Sequence, residues 1–370
     1  MLGELIALPS VNPAFSPPDD PRSGEARVAE FVLAAGRRAG LAGETQPVLP
    51  GRDNVLLTLS PAGRRRRRLL LAPHLDTVPA PDEDAFTPRV TEERMYGRGA
   101  CDTKGSVAAM LCALFRVARQ GARPRETEIV FAGLVDEESR QAGSRALAAQ
   151  RFRADLAIVG EPTRDQVVTA HKGDLWLRLE TRGKAAHGAT PALGRNAVRE
   201  MAAVVQLLEG KYATLLARRS HPLLGAPTIN VGRIGGGSQP NIVPDACFIE
   251  VDRRTLPGET PAGVVREIQE QLRRAGLRAR VADARGVDCP PLETPPQLPW
   301  VCQLMAAARQ GAPRGVHYFC DAAVLAAGGI PAVVFGPGDI AQAHTAGEWI
   351  SLRSLDRATR ILERFFRSLP

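Results

Sequence analysis

Short apolar runs alternate with helix-period segments over the first 160 residues. Asn54–Leu59, Leu69–Ala72, Glu128–Leu134 and Leu156–Val159 read as strands, and Glu25–Ala39, Gly105–Gln120 and Ser144–Gln150 as helices. Strands this continuously apolar belong to a sheet buried on both faces, so the alternation predicts an α/β unit with a largely parallel sheet. The pattern changes near residue 170. Leu175 to Glu180 alternates apolar with polar, as a half-exposed antiparallel strand does. A helix over Arg195–Leu208, strands at Thr228–Val231 and Cys247–Val251, a helix at Pro261–Ala275 and a strand at Leu277–Ala282 complete a split βαβ layout with four strands, a small α+β sandwich. The α/β pattern then returns, with helices near Trp300–Gln310 and Asp321–Ala327, a strand at Ala332–Phe335 and a last helix at about Leu355–Ser368. The expected organisation is a discontinuous α/β domain over residues 1–170 and 286–370, with an α+β domain inserted at 171–285.

A chain of 370 residues accommodates two such cores. No apolar run reaches the ~18–20 residues of a membrane span. The N-terminal stretch lacks a basic segment followed by an apolar one, so the expectation is a cytoplasmic protein without membrane association. The six cysteines form no C-x-x-C pair, which leaves reduced thiols and directs the search for metal ligands to His, Asp and Glu. Net charge is +8, and five of the positive charges are Arg64 to Arg68. That run is read as a solvated turn after Pro61-Ala62-Gly63. No aromatic residue interleaves with it, so base-stacking platforms are missing and no nucleic-acid partner is expected.

The chemistry-bearing residues share one context, the carboxyl end of an apolar strand, where open α/β sheets build their sites. Leu69 to Pro73 leads into His74-Leu75-Asp76, Ile129 to Val135 into Asp136-Glu137-Glu138, and Leu156 to Gly160 into Glu161. Burying several carboxylates together is costly, and a divalent cation relieves the cost. In His74-x-Asp76 the imidazole can bind a metal while Asp76 accepts a hydrogen bond from its other nitrogen; the plainer alternative is a strand-end histidine satisfied by a neighbour. Gly97 to Gly105 is a glycine-punctuated loop opening a helix. It lacks the phosphate-loop spacing, which disfavours phosphate binding. Asp102 is read as a carboxylate bridging two cations in a turn that glycines permit, and the plainer alternative is a helix cap.

The succession His74-x-Asp76, Gly97-Arg98-Gly99-x-x-Asp102-x-Lys104-Gly105, Glu137-Glu138, Gly160-Glu161-Pro162 and His344-Thr345 resembles the family of acetylornithine deacetylases, succinyl-diaminopimelate desuccinylases, aminoacylases and glutamate carboxypeptidases. Pro9-Ser10-Val11-Asn12-Pro13, Gly183-x-x-Ala186-His187, Pro240-Asn241-x-x-Pro244-Asp245, Arg254-x-x-Pro257-Gly258 and Phe335-Gly336-Pro337-Gly338 extend the likeness over nearly the whole chain. The resemblance implies a zinc-peptidase-like catalytic domain and an inserted lid and dimerisation domain. It implies two divalent metal ions, zinc or cobalt: Asp102 bridges them, His74 and Glu161 complete one site, and Glu138 and His344 the other. Glu137 becomes the general base, Asp76 the orienter of His74, His187 an oxyanion donor, and Asn241 and Arg254 substrate contacts. It further implies a cis bond between Asp102 and Thr103, and a homodimer formed through the lid domain. The implied reaction is hydrolysis of the amide of an N-acyl amino acid, with the acetylornithine deacetylase branch the nearest in appearance. The alternatives are a desuccinylase or a di- or tripeptidase on the same metal core, and a non-catalytic basic binding protein on the same fold. His171, His221 and His317 are not assigned as ligands; His221 is expected to be solvent-exposed.

Overall fold

The computed structural model describes residues 1–150 and 152–370. The chain divides into two compact units, one built from Met1–Thr169, Thr294–Arg314 and Cys320–Pro370, the other from Ala170–Glu293 and Gly315–Phe319.

In the first unit the sheet runs in the order Ala42–Leu49, Arg52–Leu59, Thr127–Gly133, Arg67–Pro73, Leu156–Gly160, Ala332–Val334. The strand Arg67–Pro73 lies parallel to both of its neighbours, and Ala332–Val334 extends the parallel set, while the first two strands join antiparallel. Leu69, Leu71, Ile129, Phe131, Leu156 and Ile158 are fully covered, as the apolar runs require, and they share a core with the helices Lys104–Arg119 and Leu352–Ser368. The strand Ala42–Leu49 carries Pro47 at a register shift and is mostly exposed; its sequence shows no strand pattern because a sheet edge tolerates both features.

The second unit is a four-stranded antiparallel sheet in the order Thr228–Gly236, Ala246–Thr255, Gly173–Arg182, Arg280–Asp283. The helices Ala197–Gln206 and Pro261–Arg274 contribute to its core, where Leu177, Leu179, Met201, Ile249 and Ile268 meet. Thr260 caps the second helix by accepting from Gly263 N–H.

Arg64 to Arg67 are exposed, as a solvated run should be, but the run is not all turn. Arg67 and Arg68 open a strand. Arg65 and Arg68 pair with Glu128, Arg66 pairs with Glu126, and the Arg68 guanidinium lies 4.8 Å from the Phe152 ring centre. All six cysteines are free. No helix among the described residues is long and apolar enough to cross a membrane.

Candidate metal centre

His74 follows the strand Arg67–Pro73, and its bridge to Leu134 ties the ends of two parallel strands together. The ring is buried. Its Nδ1 lies 3.0 Å from the Asp76 carbonyl oxygen and 3.5 Å from Asp76 Oδ1. With Nδ1 directed there, Nε2 is the nitrogen left to meet a cation, and it faces Asp102 Oδ1 at 3.1 Å and Glu161 Oε1 at 3.8 Å. Asp102 turns its other oxygen the opposite way: Oδ2 lies 3.4 Å from His344 Nε2, which is also 3.2 Å from Glu138 Oε2. The Asp102–Thr103 peptide is cis. One carboxylate thus serves two imidazoles, each of which meets one further glutamate.

The spacing bears directly on metal binding. Donors about 2.0–2.1 Å from one tetrahedral cation are about 3.3–3.4 Å from each other. The contacts of 3.1, 3.8, 3.4 and 3.2 Å scatter around that edge length. Ligand atoms of His74, Asp102 and Glu138 lie within 4.8 Å of one another, and so do those of His74, Glu137 and Glu161. Glu138 Oε1 is buried without a hydrogen-bond partner, a costly arrangement that a cation removes. The donor set fits a pair of divalent ions.

The electrostatics agree. Burial pushes the Glu137 and Glu161 carboxyls well above the usual range; His74 opposes the rise in both, and neighbouring acids add to it. Hydrogen bonds that His344 donates to Asp102 and then Glu138 push it up to about 10. Burial raises Asp102, but hydrogen bonds and charge from His344 and His74 carry it below the ordinary carboxylate range. This is the signature of crowded acids for which two imidazoles supply too little positive charge.

Asp76 holds more than His74. Its Oδ1 accepts from Glu137 N–H and its Oδ2 from Glu138 N–H, at 3.1 and 3.0 Å. The turn bearing both glutamates is fixed by that carboxylate. Asn12 braces it by donating from Nδ2 to Asp76 Oδ2 at 2.7 Å and Asp136 Oδ1 at 3.0 Å, while Arg52 joins Asp136 to the buried Glu25. Asp136 has φ +68, a conformation that needs such bracing. Asn12 stood in a motif of the sequence and Arg52 in none; neither has a local pattern that marks it as a brace.

His187, Asn241 and Arg254 belong to the second unit. His187 is exposed, its Nδ1 accepts from Ala189 N–H, and it bridges to Ile242. Asn241 is exposed and its carbonyl accepts from Gly188 N–H. The Arg254 guanidinium hydrogen-bonds Asp252 and lies 3.6 Å from Asp174. His221 is not free in solvent, because its Nε2 pairs with Glu293 at 3.0 Å.

Residues 70–368 match Peptidase family M20/M25/M40. The chain belongs to that family. An acetylornithine deacetylase of Myxococcus xanthus is 34% identical over 353 residues, covering 90% of each chain. The aminopeptidase PepT of Bacillus cereus superposes with a TM-score of 0.79 at 23% identity, over 99% of this chain and 96% of that one. An M20-family metallo-carboxypeptidase of Sulfolobus solfataricus does so with a TM-score of 0.78 at 20% identity, over 99% and 97%. This M20 member is a hydrolytic enzyme acting on amides.

Proposed function

We propose that this M20-family enzyme hydrolyses the amide bond of an N-acyl amino acid, in the manner its deacetylase relatives' name implies, with two divalent ions, zinc or cobalt, held by His74, Asp102, Glu138, Glu161 and His344. The observation that carries the reading is the division of one carboxylate: Asp102 Oδ1 meets His74 and Oδ2 meets His344. When bound, such a pair of cations supplies the Lewis acidity that lowers the pKa of a shared water and polarises the scissile carbonyl.

The chain's own residues do the rest. Glu137, adjacent to Glu138 but with its ligand-type oxygen near His74 and Glu161, takes a proton from water at its carboxylate and returns it to the departing amine. Asp76 keeps His74 Nδ1 in the donor state and fixes the turn on which Glu137 stands. His187 is proposed to donate to the developing oxyanion, and Asn241 and Arg254 to recognise the substrate, Arg254 through its carboxylate. These roles rest on the motifs alone, and so does pairing of two chains through the inserted unit, which light scattering on the intact protein tests.

Metal analysis of the purified protein, followed by a turnover screen with zinc or cobalt, tests the reading. Close to two ions per chain and release of acetate from N-acetylornithine or a related N-acyl amino acid are expected. A protein that takes up no divalent ion, or that cleaves dipeptides and no acyl amino acid, overturns it.

A further inference from the structure

We propose that Glu348 is a positioning residue that shapes the loop carrying Asp102 and thereby sets the metal affinity of the centre; this rests on the two-metal reading above. Glu348 is 3% exposed. A buried carboxylate is tolerated when its lone pairs are used, and here each oxygen accepts twice. Oε2 accepts from Arg98 Nη1 at 2.7 Å and Gly99 N–H at 2.9 Å. Oε1 accepts from Cys101 N–H at 2.8 Å and Asp102 N–H at 2.9 Å. The Glu348 carbonyl adds a bond from Gly97 N–H at 3.0 Å. All five donors lie between Gly97 and Asp102.

The loop has reason to need an outside template. Gly97 and Gly99 adopt φ +151 and +81, conformations that glycine permits but does not enforce. Glu348 supplies the missing constraint, and its own place is fixed. The next residue, Trp349, begins a strand paired antiparallel with Arg94–Tyr96, the strand that leads into Gly97, with Trp349 opposite Tyr96. Four residues before Glu348 stands His344, 3.4 Å from Asp102 Oδ2. One short segment therefore grips Asp102 by its backbone and meets its carboxylate.

The chemistry selects a sharp substitution. An amide has one acceptor oxygen and one NH₂ group. Because both oxygens of Glu348 receive two N–H donors, a glutamine in either orientation turns its NH₂ toward two donors. Glu348→Gln is thus nearly isosteric yet incompatible with the observed loop.

Chelator-stripped wild type and Glu348→Gln are titrated with zinc by calorimetry, loaded with cobalt for visible spectroscopy, assayed for kcat and KM, and melted. The expected result is a folded variant that binds at least one ion about 10–100-fold more weakly, with a shifted cobalt band and a fall in kcat that exceeds any rise in KM. Wild-type affinity for both ions with an unchanged cobalt spectrum overturns the proposal. If Glu348→Gln does not fold, Arg98→Met takes its place: it removes one donor and leaves the carboxylate, so a severalfold weaker affinity is expected, and wild-type affinity overturns the proposal. A wild type that binds no cation sinks the two-metal reading, a result distinct from equal binding by wild type and variant.

Discussion

Asp321 begins the helix Asp321–Ala327, and its side chain is sealed from water. Oδ1 accepts from Ser144 Oγ at 2.5 Å, and Oδ2 has no hydrogen-bond partner. Burial pushes this carboxyl from the ordinary 3.8 up to about 7, against the Ser144 hydrogen bond. The folded chain therefore holds a proton on Asp321 that the unfolded chain has released, and its stabilising effect is lost as pH rises from about 4 through about 7. Asp321→Asn keeps an acceptor for Ser144 and carries no charge. In chelator-treated protein at pH 8 it is expected to be more stable than the parent by roughly 1–4 kcal/mol, at about 1.4 kcal/mol per unit of displacement, with the advantage shrinking by pH 5. Urea melts at the two pH values check this, and parallel curves for parent and variant refute it. Glu137→Gln removes the proposed proton carrier and leaves the ligand set in place. Two ions per chain and a kcat reduced about 10²–10⁴-fold are expected; a variant with parental kcat removes Glu137 from the reaction. Both acids were visible in the sequence, yet only Glu137 had a motif that gave it a role. Asp321 only opens a predicted helix, and its importance comes from burial, which no local pattern encodes.

The turn Asp136-Glu137-Glu138 joins the strand Thr127–Gly133 to the helix Ala142–Ala149. Two carboxylates from elsewhere, Asp76 and Glu25, accept its N–H groups, and Asn12 donates to Asp76 and Asp136 together. Asn12→Leu has similar volume but donates nothing, leaving two buried carboxylates short of a donor. The expected outcome is a kcat about 10–100-fold lower with two metals retained, measured by kinetics beside metal analysis; parental kcat would show that the brace is idle. At this scale the buried parallel strands were legible because each is one unbroken apolar run. The edge strand Ala42–Leu49 and the pair Arg89–Thr91 and Arg94–Tyr96 were not, since the first is exposed and irregular and the other two are only three residues long.

Over the whole molecule, the acids of the centre load one unit unevenly. On the two-metal proposal, chelation removes positive charge from the first unit and leaves the core of the second, built on Leu177, Met201 and Ile249, untouched. Stripped protein is expected to melt roughly 5–15 °C lower than metal-loaded protein, from a linkage of about 3–4 kcal/mol. Hydrogen exchange should quicken around residues 97–105, 134–140 and 340–348 and stay constant over 173–182 and 246–255. Equal exchange in all these segments, or an unchanged melting point, counts against a metal-braced first unit. By itself the sequence determined the α/β class, the split βαβ insertion, and the order of segments that end in His74, Asp102, Glu138, Glu161 and His344. It could do so because apolar periodicity and strand-end residues are local properties of the chain, and because the motifs around Asp102 and His344 carry the family resemblance. Tertiary structure alone decided that Asp102 divides its oxygens between two histidines, that Asn12 braces the Glu137 turn, and that Glu348 templates a glycine loop some 246 positions away. Hydrogen bonds between distant segments leave no period in the sequence, and the energy that specifies them exists only once folding has removed the water.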